Sequence, residues 1–181
     1  MKRKVYFLVL LFLVAAGYAS AQDSKSFYDY QLKDINGKTY KMSDLKGKKV
    51  LIVNTATQCS LSPQFSGLEQ LYKDNSDKLV VIAVPSNDFG DKEPGSDNEI
   101  KNYVEKHYDV TFPVMAKTSV KGEDENPLYK WLTEKKLNGV MDTKVAWNYQ
   151  KYMIDENGKL VGVVDPKESP GSDKIMEWLK K

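Results

Sequence analysis

The stretch that decides the fold is "KKVLIVNTATQCSLSPQFSGLEQLY", residues 48–72. Its first part, 48–56, is a nearly continuous apolar run rich in Val and Ile, which is typical of a strand buried on both faces of a sheet. Ser62-Pro63 then has the pattern of a helix N-cap followed by proline at the first helical position. Apolar side chains continue at helical spacing at Phe65, Leu68, Leu71 and Tyr72. The pattern predicts a buried strand, a polar turn and an amphipathic helix.

The polar turn contains Cys59, the only cysteine in the chain. A lone cysteine cannot pair within its own chain, so it is either an inert buried residue or a free thiol kept for its reactivity. A helix N-terminus carries partial positive charge and free N–H groups. Both favour the thiolate, which is the nucleophilic form of cysteine. The position therefore makes Cys59 a candidate nucleophile.

The rest of the chain alternates between strand and helix patterns. A second buried strand is predicted at 78–85 and a third at 111–116. Between them, Ser96 and Glu99 form a capping-box pattern that opens a helix. Asn126-Pro127 opens another helix, and the turn residues 156–158 (Glu-Asn-Gly) separate two apolar runs as in a hairpin. A closing helix is indicated by Ile175, Trp178 and Leu179.

This order of elements predicts an α/β fold with a central mixed sheet and helices on both faces. It is the thioredoxin-like order, and Cys59 follows the first buried strand of the unit. A thioredoxin-like dithiol oxidoreductase needs a second cysteine after two intervening residues, whereas the chain reads Cys59-Ser60-Leu61-Ser62. The sequence therefore nearly excludes that class.

The first 21 residues have the pattern of a secretory signal peptide. Three basic residues precede an apolar run at 5–14, and Ala19-Ser20-Ala21 matches an A-x-A cleavage site. We expect cleavage before Gln22, a single domain over 22–181, and export to the periplasm or the outside of the cell. The alternative is an uncleaved signal anchor.

The charge balance indicates no nucleic-acid partner. The whole chain has 27 basic and 25 acidic residues, and removal of residues 1–21 leaves 24 basic and 25 acidic ones. The small basic excess therefore belongs to the leader. Nothing in the mature chain calls for a polyanionic partner.

Four motifs resemble those of glutathione peroxidases, in the order of that family. They are "VNTATQCSLSPQFSGLEQLY", "VPSNDFGDKEPGS", "YDVTFPVMAKTSVKGEDENPLYKWL" and "AWNYQKYMIDENGKLVG". The resemblance runs from about Phe27 to Lys180 and is to the short, cysteine-containing branch. It implies a thioredoxin-like fold and reduction of hydrogen peroxide and organic or lipid hydroperoxides in oxidative stress.

The resemblance also assigns roles to particular residues. Cys59 matches the peroxidatic position, and Trp147-Asn148 matches the pair that hydrogen-bonds and orients the reactive atom. Indole and amide N–H groups are donors, as a thiolate requires. The fourth position of the family site is a glutamine in an "NQFG"-like motif, and here Asp88 replaces it.

Asp88 is the main departure from the family pattern. A glutamine amide donates a hydrogen bond to sulfur, whereas an ionised aspartate only accepts. A carboxylate facing the sulfur would also disfavour the thiolate by like-charge repulsion. Three alternatives stay open: Asp88 turns away, it holds a proton, or the peroxidase is slow. If the carboxylate faces Cys59, Asp88→Gln should speed oxidation.

The single cysteine is a second departure. Many cysteine-type members resolve the sulfenic acid with another cysteine of the same chain, so here an external thiol must do so. A small thiol and a thioredoxin-like protein are both compatible with this. The resemblance implies no metal or organic cofactor. The span 137–145 is short where oligomeric members carry extra sequence, so a monomer with an open site is expected. The alternative function is a catalytically weakened redox-sensing or binding module.

Overall fold

The computed structural model describes residues 25–181. The predicted signal peptide, its cleavage site and the start of the predicted domain at Gln22 lie outside these residues and stay predictions. Within residues 25–181, no helix combines the length and apolarity that a membrane crossing requires.

A four-stranded mixed sheet forms the centre of the molecule. Its strands are β3 (Lys49–Thr55), β4 (Leu79–Pro85), β5 (Lys151–Ile154) and β6 (Leu160–Val164). Their order is β4-β3-β5-β6, with β3 parallel to β4 and antiparallel to β5, and with β5 antiparallel to β6. Every residue of β3 is buried, which explains its apolar run at 50–53. The predicted first two strands and the predicted hairpin are confirmed.

Within residues 25–181, five helices and a small hairpin complete the fold. The helices are α1 (Gln64–Asp74), α2 (Asp97–Tyr108), α3 (Pro127–Thr133), α4 (Lys135–Asn138) and α5 (Asp173–Lys180). The hairpin pairs β1 (Gln31–Lys33) with β2 (Thr39–Lys41). Short 3-10 turns lie at Phe27–Asp29 and Met42–Leu45.

The core lies in two layers, one on each face of the sheet. Side chains of β3 alternate between the layers, because successive residues of a strand point to opposite faces. Leu51 and Val53 pack with apolar residues of α1 and α5, whereas Val50 and Ile52 pack with α3 and the N-terminal turns. The predicted mixed α/β fold with helices on both faces is therefore confirmed.

The sequence signals for helix starts differ in how closely the structure follows them. Ser96 and Glu99 form both bonds of the capping box at α2, and the Asn126 side chain caps α3 ahead of proline. At α1 the helix begins at Gln64, and Ser62 makes no capping bond. Its hydroxyl accepts a hydrogen bond from the Tyr108 hydroxyl at 3.2 Å instead.

The predicted third strand at 111–116 is wrong. Val114 and Met115 form only isolated bridges, to Ala83 and Asp34 respectively. Pro113 has no N–H, so it contributes only its carbonyl, which accepts from Ala83 N at 3.0 Å. The segment lies beside β4 without extending the ladder.

Candidate active site

Cys59 lies in the turn that connects the carboxyl end of β3 to α1. Its N–H donates to the Ala56 carbonyl at 3.3 Å, and its carbonyl accepts from Ser62 N at 2.9 Å. The residue is only 5% exposed and belongs to the same apolar cluster as Phe65 and Tyr149. Cys59 is therefore held in a hydrogen-bonded turn in front of α1, with its thiol almost completely covered.

The loop before β5 carries Trp147 and Asn148 and is tied to the same end of β3. Asn54 Nδ2 donates to the Trp147 carbonyl at 3.1 Å, and Tyr149 N donates to the Asn54 carbonyl at 2.6 Å. The Tyr149 hydroxyl donates to the Ala56 carbonyl at 3.0 Å, within the cysteine turn. The structure thus brings this loop and the Cys59 turn together, as the family resemblance implies.

Trp147 and Asn148 both contact the "NDFG" segment, residues 87–90. The buried Asn148 amide donates to the Phe89 carbonyl at 3.2 Å. The Trp147 ring lies 5.6 Å from the Phe89 ring between centroids, yet Trp147 is 42% exposed. Among the described residues, no hydrogen bond joins either side chain to the Cys59 sulfur. The orienting role of Trp147 and Asn148 therefore stays a prediction.

Asp88 directs its carboxylate to the segment that precedes α3. Its Oδ2 accepts from Ser119 Oγ at 3.0 Å and from Val120 N at 2.6 Å. Of the three alternatives left by the sequence, this geometry favours a side chain turned away from the sulfur. In this structure Asp88 links the "NDFG" segment to residues 119–120.

Glu93 and Thr57 are two further functional candidates, and no pattern in the sequence indicates them. Glu93 is completely buried, and its carboxylate accepts from Thr57 N at 2.8 Å and from Thr57 Oγ1 at 2.5 Å. Burial raises the pKa of Glu93, while the bonds from Thr57 and the charge of Lys117 act in the opposite direction. No sequence pattern signals this contact, because it joins residues 36 positions apart.

The aromatic hydroxyl beside the cysteine turn stays protonated. Burial raises the pKa of Tyr149 well above its ordinary value, and the nearby Cys59 and Glu93 raise it further, whereas the bond to Ala56 lowers it. Tyr149 also has a positive φ of 71°, which is rare for a bulky residue. Its hydroxyl and backbone N–H bonds to the β3 end hold it in this conformation.

Lys151 is a buried cation directly behind the 147–149 loop. The side chain is 0% exposed, and its Nζ donates to the carbonyls of Tyr149 at 2.9 Å and Glu168 at 2.7 Å, with longer bonds to those of Asp165 and Pro166. Burial lowers the pKa of Lys151 to about 8, against the influence of the Glu168 and Asp165 carboxylates. Lys151 thereby fastens the loop to the turn after β6.

The glutathione peroxidase family model matches residues 27–133. The chain belongs to the glutathione peroxidase family. Glutathione peroxidase-like peroxiredoxin 2 of Saccharomyces cerevisiae is 43% identical over 137 residues, which cover 75% of this chain and 85% of the relative. Hydroperoxy fatty acid reductase gpx1 of a Synechocystis species is 39% identical over 150 residues, covering 78% and 88%. The predicted family and the enzyme class of a peroxidase are confirmed.

Solved structures support the same fold. The crystal structure of Trgpx in its apo form has a TM-score of 0.67 at 35% identity and covers 87% of this chain and 97% of that one. A thiol:disulfide interchange protein of the thioredoxin family from Chlorobium tepidum has a TM-score of 0.60 at 20% identity, covering 83% and 92%. The predicted thioredoxin-like fold of this glutathione peroxidase family member is confirmed.

The site can perform thiol chemistry from its own side chains. Cys59 is the nucleophile available at the end of β3, and the 147–149 loop is bonded to the same strand end. Two grooves flank the cysteine turn: one of about 390 Å³ touches Ser60 and Leu61, and one of about 350 Å³ touches Thr57 and Gln58. Within residues 25–181, no cluster of three His, Cys, Asp or Glu side chains is arranged to hold a metal ion.

Proposed function

We propose that this member of the glutathione peroxidase family reduces hydroperoxides at Cys59, takes its electrons from an external thiol, and acts as an exported monomer. The observation that carries the proposal is the placement of the lone cysteine of the chain. Cys59 lies in a hydrogen-bonded turn before α1, at the strand end to which the Trp147-Asn148 loop is also bonded.

The first half of the proposed reaction oxidises Cys59. The thiolate attacks the terminal oxygen of a hydroperoxide, the O–O bond breaks, and the remaining oxygen takes a proton and leaves as water or an alcohol. Cys59 becomes a sulfenic acid, having given up two electrons. The donors of Trp147 and Asn148 stabilise the thiolate during attack.

The second half restores the thiol. An external thiol attacks the sulfenic sulfur, water leaves, and a mixed disulfide forms. A second external thiol then attacks the external sulfur of that disulfide and releases Cys59 as a thiol. Both reducing equivalents come from outside, because the chain has no further cysteine.

Several observations support a bulky hydroperoxide as substrate. Trp147 is 42% exposed beside Phe89, so an apolar surface lies open near the cysteine turn. One relative carries the name hydroperoxy fatty acid reductase. The expected monomer, with its short 137–145 span, leaves this surface uncovered.

Stopped-flow oxidation of residues 22–181 by hydrogen peroxide and by a fatty acid hydroperoxide tests the proposal. Dimedone should label Cys59 after oxidation, and Cys59→Ser should consume no peroxide while keeping the fold. A panel of reductants, comprising glutathione and a thioredoxin, should then support continued turnover. Equal peroxide consumption by Cys59→Ser would refute the assignment of the nucleophile.

The second candidate function is a redox-sensing module, and Asp88 is the observation that favours it. The family donor is missing at that position, and the aspartate is bonded to Ser119 and Val120. A sensor would consume one peroxide per chain and stop under every reductant. Sustained turnover with any thiol excludes it.

A further inference from the structure

Two buried carboxylates in this protein make the same contact with a threonine. Glu93 accepts from Thr57 N at 2.8 Å and Thr57 Oγ1 at 2.5 Å, and Glu69 accepts from Thr111 N at 2.8 Å and Thr111 Oγ1 at 2.6 Å. Both glutamates are buried, with exposures of 0% and 4%. The two clamps share the same pair of contacts, but they hold different segments, and Glu69 also forms an ion pair with Lys73 at 3.0 Å.

The Glu93 clamp holds the turn that carries the reactive cysteine. Thr57 lies two residues before Cys59, and the next residue, Gln58, donates its N–H to the Lys92 carbonyl at 3.0 Å. Consecutive residues of the turn are thus bonded to consecutive residues of the segment 92–93. The Glu69 clamp instead ties α1 to the segment after α2.

The Glu93 segment is itself held from two further sides. Its backbone N–H donates to Asn87 Oδ1 at 2.8 Å, and Lys117 Nζ donates to the carbonyls of Glu93 at 3.2 Å and Gly95 at 2.6 Å. The backbone that carries the Glu93 carboxylate is therefore held in place by these hydrogen bonds. Because it binds both the backbone and the side chain of Thr57, it restricts the main chain and the hydroxyl rotamer of that residue together.

The negative charge of Glu93 gives the reaction no direct help. A carboxylate near a developing thiolate opposes it electrostatically, and a buried carboxylate is costly unless its lone pairs are satisfied. Glu93 instead fixes the position of Thr57 through two hydrogen bonds at the start of the cysteine turn.

Resting on the proposed function of Cys59, we propose that Glu93 is a positioning residue for the peroxidase reaction. By clamping Thr57 it fixes the turn 56–59, so that the sulfur meets the hydroperoxide opposite the donors of the 147–149 loop. Small displacements of a reacting group are expensive, since a misplacement of about 1 Å can cost roughly 100-fold in rate.

The test compares two reactions of the same thiol in several variants. Oxidation by hydrogen peroxide requires the organised site, whereas alkylation by iodoacetamide requires only an accessible thiolate. The ratio of the two second-order rate constants, measured at one pH, therefore reports positioning separately from thiolate content. Urea unfolding of each variant reports stability.

Glu93→Gln and Thr57→Val should lower the ratio by about tenfold or more. Thr57→Ser retains both donors and should keep the ratio within about twofold of wild type. Glu69→Gln is the control: it weakens the corresponding clamp on Thr111 and the ion pair with Lys73, but its ratio should equal that of wild type. If Glu93→Gln fails to fold, the pair Thr57→Val and Thr57→Ser decides the question.

A wild-type ratio in folded Glu93→Gln and in Thr57→Val would overturn the positioning role while leaving Cys59 as the nucleophile. An equal fall in Glu69→Gln would also overturn it, since any buried clamp would then have the same effect. A wild-type protein that forms no sulfenic acid with peroxide would instead refute the proposed function, and the positioning role with it.

Discussion

Replacement of Asp88 tests where the one atypical side chain of the site points. Its Oδ2 accepts both hydrogen bonds, from Ser119 Oγ and from Val120 N. Asparagine offers one carbonyl oxygen that can accept both bonds, without the charge. Alanine has no side-chain acceptor and no charge, so it leaves the Val120 N–H without its acceptor.

The expected stability losses follow from these bonds. A hydrogen bond to a charged group contributes about 1.5–3 kcal/mol and a neutral one about 0.5–1.5 kcal/mol. Because Asp88 is only partly buried, we take the lower end of each range. Asp88→Ala removes both bonds and should therefore lower the free energy of unfolding by about 3 kcal/mol, whereas Asp88→Asn makes both bonds neutral and should lower it by about 2 kcal/mol. Urea denaturation followed by fluorescence measures both.

The rate of Cys59 oxidation tests the orientation of Asp88 independently of stability. A carboxylate about 4 Å from the sulfur, at an effective dielectric constant of about 20, would oppose the thiolate by roughly 4 kcal/mol. Its removal would then speed oxidation by orders of magnitude. Since the carboxylate faces residues 119–120, we expect Asp88→Asn to change the rate of Cys59 oxidation by less than about threefold, or about 0.6 kcal/mol.

Asp124→Asn is the charge control, because Asp124 is exposed on the same segment. Stopped-flow oxidation at several pH values compares the three proteins. A tenfold acceleration in Asp88→Asn, absent from Asp124→Asn, would refute the outward orientation of Asp88. It would also revive the expectation that Asp88→Gln creates a faster enzyme.

Three further predictions concern the buried lysine, a turn and the leader. The pKa of Lys151 lies near 8 in the folded protein and near 10.5 in the unfolded chain, so the unfolded chain holds more protons between these pH values and the free energy of unfolding should rise with pH there, by up to about 3 kcal/mol. Urea unfolding at several pH values should show this rise in wild type but not in Lys151→Met. An equal dependence of stability on pH in the two proteins would contradict the prediction. Gly158 has a φ of 79°, and a Cβ there would lie 2.7 Å from the Tyr28 ring, whereas Gly37 has a φ of 80° and open space around it. Gly158→Ala should therefore lower the free energy of unfolding by about 2 kcal/mol or more, and Gly37→Ala by about 1 kcal/mol. Equal losses in the two variants would show that Tyr28 moves aside freely. Cleavage before Gln22 should appear in the intact mass of the protein from its native host, and retention of residues 1–21 would disprove the signal peptide.

Elements with strong local signals were predictable. Strand β3 has an apolar run at 50–53 because both of its faces are covered, and the capping box at Ser96 and Glu99 forms as its spacing indicates. The hairpin at 156–158 follows from its turn residues. The β1–β2 hairpin was missed, although Asn36-Gly37 is a turn pair between its two strands. Its strands are three residues long, too short for an alternating pattern to stand out.

The candidate site was predictable only in part. The position of Cys59 follows from the order of elements, and that of the 147–149 loop from the family resemblance. The direction of the Asp88 carboxylate depends on Ser119 and Val120, about 30 residues away, and no local pattern reports it. The contact between Glu93 and Thr57 was equally unpredictable, because the sequence of a turn does not indicate which distant residue its side chains will contact. The strand prediction for 111–116 was wrong because the apolar residues of this segment fit a strand, but Pro113 cannot donate a hydrogen bond to a neighbouring strand.

The nearly covered, solitary thiol of Cys59 has a kinetic consequence for the proposed cycle. No intramolecular step can regenerate it, so every turnover ends in a collision with another molecule whose sulfur must reach a residue that is 5% exposed. The lifetime of the oxidised enzyme is then set by the concentration and shape of the surrounding thiols. Whenever peroxide arrives faster than those thiols, the protein accumulates in its oxidised form, and the fraction oxidised becomes a direct measure of the balance between the two pools.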